Sequence, residues 1–134
     1  MSPLSLNRRY SMTIMEAIYR ADAQKPNVYS QEEKIRWLSA LDGTVKTEII
    51  DTHEGGEDIV FNGYDAMTDL NTELLIPAPY DEVYIHWIEM HIDYANAEFA
   101  KYNNSMAMYN SVFSNFEKYY NRTHMPLGKK FKFF

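Results

Sequence analysis

No cysteine occurs in the 134 residues. A disulfide framework and a thiolate zinc site are both excluded, and a reducing compartment is the natural setting. Glycine is scarce as well, with 5 scattered residues and no phosphate-cradling loop. Gly55 and Gly56 sit among acids that would repel phosphate. Basic side chains number 13 against 19 acidic ones, and the formal net charge of -6 argues against a general polyanion binder. No apolar run approaches the roughly 20 residues of a membrane span, and no secretory leader precedes the first helix signal. A soluble cytosolic protein without a membrane partner is expected. Catalytic patterns are missing too: there is no GxSxG elbow and no serine whose partners follow from spacing.

What is abundant is aromatic: 11 Tyr, 7 Phe and 2 Trp, joined by 8 Met. Tyrosine and tryptophan combine apolar area with a polar tip, and methionine packs adaptably, so the mixture suits interfaces as well as cores. The length fits one domain with its own core. The chain divides into a flexible leader at 1–11, a helical domain at 12–126 and a basic-aromatic tail at 127–134.

The fold class read from the pattern is mainly α, a bundle of about four helices with a long central loop. Thr13 and Glu16 in TIME form a capping-box pattern, and Ile14, Ala17, Ile18 and Ala21 make one stripe that stops before Lys25 and Pro26. Ser30 and Glu33 in SQEE open a second helix carrying Ile35, Leu38, Leu41, Val45 and Ile49 at spacings of three and four. Gly43 inside it marks a kink or a close neighbour. From 51 to 79 the helical period is lost, leaving an acidic loop, DTHEGGED, and two short apolar runs. These leave room for a short β-hairpin of Ile59 to Phe61 with Glu73 to Ile76.

After Pro77 and Pro79 a third helix is predicted from about Tyr80 to Tyr102. Val83, Tyr84, Trp87, Ile88, Ala95, Phe99 and Tyr102 form its broad face, yet Ile85, Met90 and Ile92 are apolar on other sides. Such a helix is buried on more than one side. The NNS sequence at 103–105 reads as a turn, followed by a last helix with Tyr109, Val112, Phe113, Phe116 and Tyr120 on one stripe.

HWIEMH, residues 86–91, is the most enzyme-like stretch. Zincin motifs place two histidines four residues apart, on one helix face. Here they are five apart, separated by roughly 140° around the axis, and cannot close on one metal from a regular helix. His86 and Glu89 could share an ion only with a third ligand from His53, Glu54 or Asp58. Satisfied or interfacial histidines are the simpler reading, and no metal, cofactor or catalytic residue is expected.

From Asn121 onward there are four basic residues and no acidic ones, so the body carries 9 basic against 19 acidic side chains, a net of -10. Tail and body attract each other, or each other's neighbours. The alternation of Lys130, Phe131, Lys132 and Phe133 fits disorder in the free chain, a strand added to a partner, or a basic-aromatic anchor.

The phrases TIMEAIYRADAQKPN, SQEEKIRWLSALDGTVKTEII, ELLIPAPYDEVYIHWIEMHIDYANAEFAKYNNSMAMYN and YNRTHMP together resemble the small helical head-tail connector, or neck adaptor, proteins of tailed bacteriophages and prophages. The resemblance spans most of residues 13–126. It implies a non-enzymatic structural protein of the virion neck, made in the bacterial cytoplasm. Such a protein forms a homo-oligomeric ring, dodecameric on the portal, and extends the channel through which DNA passes without sequence-specific binding. Its implied partners are further copies of itself, the portal protein and the next neck or tail-completion protein. Carried onto this chain, the subunit contact falls on Tyr84, Ile85, Trp87, Met90, Ile92 and Tyr94. Docking to the portal or another partner falls on Lys129, Lys130, Phe131, Lys132, Phe133 and Phe134. Two other classes are kept beside it: a small helical dimer acting as a prophage-encoded regulatory module, and a metal-dependent enzyme centred on His86 and Glu89.

Overall fold

Thr13 begins the ordered helical body as the sequence predicts. Its Oγ1 accepts from the Glu16 N–H at 3.1 Å while its own N–H donates to Glu16 Oε1 at 2.9 Å, so two otherwise orphaned donors are satisfied reciprocally. The computed structural model describes residues 11–128. Within them α1 spans Ile14–Gln24 and α2 spans Gln31–Thr44, opened by Ser30, whose Oγ accepts from the Glu33 N–H at 3.1 Å. α2 runs on through a π-helical stretch, Val45–Ile50, closed by a bond from the Asp51 N–H to the Lys46 carbonyl. A 3-10 turn at Gly56–Asp58 follows, then α3 at Glu82–Ala95 and α4 at Phe99–Thr123. Four helices pack together, and no strand forms among the described residues.

α3 is the centre of this arrangement. It packs against α4 over the longest contact and also touches α1 and α2. The predicted stripes are all core: Ile14, Ala17, Ile18 and Ala21 from α1 are buried, as are Ile35, Leu38, Leu41, Val45 and Ile49. Gly43 is neither a kink nor a forced contact, since a Cβ there would meet only the Phe61 ring at an ordinary 3.9 Å. Gly56 is different. A Cβ at that position would collide with the Ile50 carbonyl, so the chain leaving the π stretch can double back only over a glycine.

The central loop does not form the allowed hairpin. Glu73 pairs instead with Thr13 in an isolated bridge, and the Leu74 N–H donates to the Met12 carbonyl at 3.0 Å. The Thr72 and Leu70 carbonyls accept from Ile14 and Met15 N–H, each at 3.0 Å. The loop thus satisfies the free donors at the start of α1, a stronger demand than strand pairing for a segment interrupted by Asx turns at Asp65 and Asp69.

The third and fourth helices meet earlier than the NNS signal indicates. α3 stops at Ala95, and Asn103, Asn104 and Ser105 lie inside α4. The stop is a Schellman motif: the Glu98 N–H bonds to the Asp93 carbonyl at 2.9 Å and the Ala97 N–H to the Tyr94 carbonyl at 3.0 Å, with Ala97 left-handed at φ 57°. Ser105 is held in the helix by a buried task. Its Oγ donates to Asp93 Oδ2 at 2.8 Å, and the same carboxylate takes Lys25 Nζ at 2.6 and 2.7 Å. Asp93 is fully buried, so one carboxylate joins the end of α1 to α3 and α4.

Two substitutions test this end of the bundle. Ala97→Gly removes the left-handed penalty and should stabilise the chain by roughly 0.5–1 kcal/mol, seen as a higher urea midpoint at unchanged slope. Lys25→Met leaves Asp93 without its cation and should cost about 3 kcal/mol in the same assay.

Candidate functional site

His86 and His91 diverge as their spacing requires. His86 Nδ1 lies 3.6 Å from Glu89 Oε1, whereas His91 stacks on Trp37 with ring centroids 5.0 Å apart and meets Trp87 edge-on at 4.6 Å. The Nε2 of His91 is buried without a hydrogen-bond partner among the described residues, and burial holds its pKa below the ordinary histidine value. Among the described residues no three His, Asp or Glu side chains gather where they could hold a metal ion. His53, the third-ligand candidate, is committed to structure: Nδ1–H donates to the Ile49 carbonyl at 2.6 Å and Nε2 lies 2.7 Å from the side-chain amide of Asn121.

The six residues assigned to a subunit contact separate into two groups. Tyr84, Ile85, Met90 and Ile92 are buried within the chain itself and present no surface to a neighbour. Trp87 is half-buried, with its Nε1–H donating to the Trp37 carbonyl at 2.7 Å. Tyr94 alone is exposed, at 62 %. The second apolar side of α3 has an occupant from its own chain: Leu74 and Ile76 of the central loop are buried in the same core cluster. Lys129, Lys130, Phe131, Lys132, Phe133 and Phe134 lie outside the described residues.

Beside Tyr84 stands the most unusual polar group of the core. Asp42 is fully buried and accepts three bonds: from the Tyr84 hydroxyl at 2.6 Å, the Tyr64 hydroxyl at 2.6 Å and the Leu75 N–H at 3.0 Å. The Tyr84 oxygen in turn accepts from the Ile76 N–H at 2.7 Å. Burial pushes the Asp42 carboxyl up to about 6, against the pull of its three donors. Burial and the adjacent carboxylate raise both tyrosines above their ordinary value, which keeps them protonated as donors. Every polar atom of the cluster serves another member or the loop backbone, so the arrangement is a structural clasp with no side facing a substrate.

The outward-facing chemistry sits at the two ends of α4. At its start Tyr94, Phe99 and Tyr102 form an aromatic cluster, with Tyr94 5.5 Å from Tyr102 and 6.1 Å from Phe99. Phe99 is 56 % exposed, and Met108 adds an exposed thioether farther along the same helix. At its end an apolar cleft of about 210 Å³ opens between Ile50, Ile59, Leu75, Pro77, Phe116, Tyr119, Tyr120 and His124. Next to it the acidic loop and the chain after α4 pair in a short antiparallel bridge: the Glu54 N–H donates to the Met125 carbonyl and the Leu127 N–H to the Thr52 carbonyl. Sequence reading misses both ends. The aromatic cluster is hidden because the turn was placed eight residues late, and the cleft because its walls come from four separate segments.

The clasp makes a pH-dependent prediction. Asp42 has a higher pKa folded than its ordinary 3.8, so the folded state holds the proton more tightly and this group's contribution falls as pH rises from about 4 through 6. Tyr84→Phe removes a donor to the ionised carboxylate and leaves the buried Ile76 N–H without its acceptor. It should cost roughly 2–4 kcal/mol at pH 7 and less at pH 5, where the folded carboxyl is largely neutral. Urea titrations at the two pH values check this, and an equal loss at both would contradict the assignment.

Comparison of the chain with protein-family models, with curated proteins and with solved structures found no match.

Proposed function

We propose that the chain is a non-enzymatic assembly subunit of a tailed-phage or prophage neck, a head-tail connector that forms a homo-oligomeric ring under the portal and extends the DNA exit channel. The resemblance of residues 13–126 to neck adaptors motivates the reading. The observation that carries it on the molecule is the exposed aromatic cluster of Tyr94, Phe99 and Tyr102. Aromatic side chains are enriched at protein interfaces, and three in mutual contact at one helix turn form a patch rather than scattered exposure. The buried ionisable groups are consistent with a scaffold: Asp42, Asp93, Lys34 and His53 are each committed to a contact that joins segments of the chain.

In this reading the contact between subunits moves from the face of α3 to its C-terminal end. Tyr94 stays in it, Phe99 and Tyr102 join it, and Tyr84, Ile85, Met90 and Ile92 become the rigid support behind it. No helix among the described residues is long and apolar enough to cross a membrane. The ring would act in the virion neck, with the portal on one side and the next neck or tail-completion protein on the other.

Light scattering of the native chain across a concentration range, with and without a portal ring, is the deciding measurement. A ring, formed alone or only on the portal, is the expected outcome. Tyr94→Lys combined with Phe99→Lys should abolish it while leaving the urea midpoint within about 0.5 kcal/mol of the parent, because both side chains are mostly exposed. A strictly monomeric chain that ignores the portal sinks the proposal. A concentration-independent dimer indifferent to the portal transfers the patch to the regulatory class.

A further inference from the structure

The apolar cleft at the end of α4 has an identifiable occupant. Its wall includes His124, and three residues later the Leu127 N–H is fixed to the Thr52 carbonyl at 2.8 Å, two residues from Ile50, another wall residue. The chain therefore leaves the described region beside the cleft. Gly128 stands in open space there, so the backbone is free to reverse. Residues 129–134 follow, with three Phe and three Lys.

We infer that residues 129–134 fold back over their own chain, seating the Phe131 ring in the cleft between Ile59, Leu75 and Phe116 while Lys130 and Lys132 face the acidic loop. Size, reach and charge each favour this occupant. A cavity of about 150 Å³ accepts a benzene ring, so about 210 Å³ accommodates one phenyl side chain. Phe131 lies four residues beyond Leu127, a reach of about 13 Å when extended. Asp51, Glu54, Glu57 and Asp58 are exposed on the loop that pairs with residues 125–127, supplying four acids next to a segment that has none. Period-two alternation lets Phe131 and Phe133 face the protein while Lys130 and Lys132 turn to the opposite side, toward the loop carboxylates at the rim.

A short tether favours the chain's own tail over a second copy's. Linking two partners through a few residues gives a millimolar effective concentration, far above that of a neighbouring molecule in dilute solution. The inference is independent of the connector reading, since it concerns the free chain and holds for any function.

Methyl-labelled NMR of the full-length chain tests it. The expected result is nuclear Overhauser contact between the Phe131 ring and the Ile59 and Leu75 methyls, at an intensity independent of concentration, and shifts of those methyls on Phe131→Ala. Lys130→Glu with Lys132→Glu should lower the docked population about tenfold, the effect of two reversed charges near exposed acids. Both substitutions lie outside the folded core, so folding is not at risk. Contacts that appear only when ring-labelled and methyl-labelled chains are separate molecules would assign the cleft to a second copy and overturn the inference. So would cleft methyls indifferent to Phe131→Ala.

Discussion

Asp42 is the contact on which the rest of the fold leans. A carboxylate at zero exposure is tolerable only when its oxygens are supplied with donors, and here they come from three places: Tyr64, Tyr84 and the Leu75 backbone. Two of the three belong to a loop of nearly thirty residues that has no regular structure to hold it. Fixing Leu75 N–H to α2 places Leu74 and Ile76 on either side of that anchor, both buried. Tyr84 then secures Ile76 a second time through its hydroxyl oxygen. Once Leu74 is fixed, Thr72 and Leu70 fall where the start of α1 needs acceptors. The loop becomes a packing layer because one buried charge gives it somewhere to attach.

The opposite end of the bundle uses the same device. Asp93 gathers Lys25 from the end of α1 and Ser105 from α4, and the Schellman turn at Ala97 lies directly beyond it. A buried ion pair adds little net stability over a well-packed apolar contact, but separating its members is costly. Its value here is positional, since it sets how far α4 slides along α3 and so where Tyr94, Phe99 and Tyr102 stand relative to one another.

Much of this was readable in the residues. Thr13 with Glu16, and Ser30 with Glu33, announce two helix starts, and the stripes behind them are the buried faces observed. The failures share one cause, which is that local pattern does not identify what covers a surface. Ile85, Met90 and Ile92 made α3 apolar all round, and a neighbouring subunit was the economical explanation. The cover proves to be the chain's own residues 74–76, drawn in by a carboxylate whose position beside Leu41 on an apolar stripe was the available clue. The α3–α4 boundary failed for a related reason. Ala97 occupies a site where glycine or asparagine normally signals a helix end, while the asparagines that looked like a turn, Asn103 and Asn104, are exposed positions of α4.

The two outward surfaces lie at opposite ends of α4, whose 25 residues span about 37 Å. They also differ in kind, one aromatic and compact, the other an apolar cleft rimmed by acids. An interface that joins two unlike surfaces is heterologous, and heterologous contacts close into rings when the rotation between subunits permits. A chain whose cleft is covered by its own tail offers only the aromatic end, so self-assembly stalls at the monomer. Binding a partner that takes up residues 129–134 would clear the second surface and release assembly at that place. The local competition between tail and neighbour, rather than the strength of the subunit contact, would then decide where the ring forms.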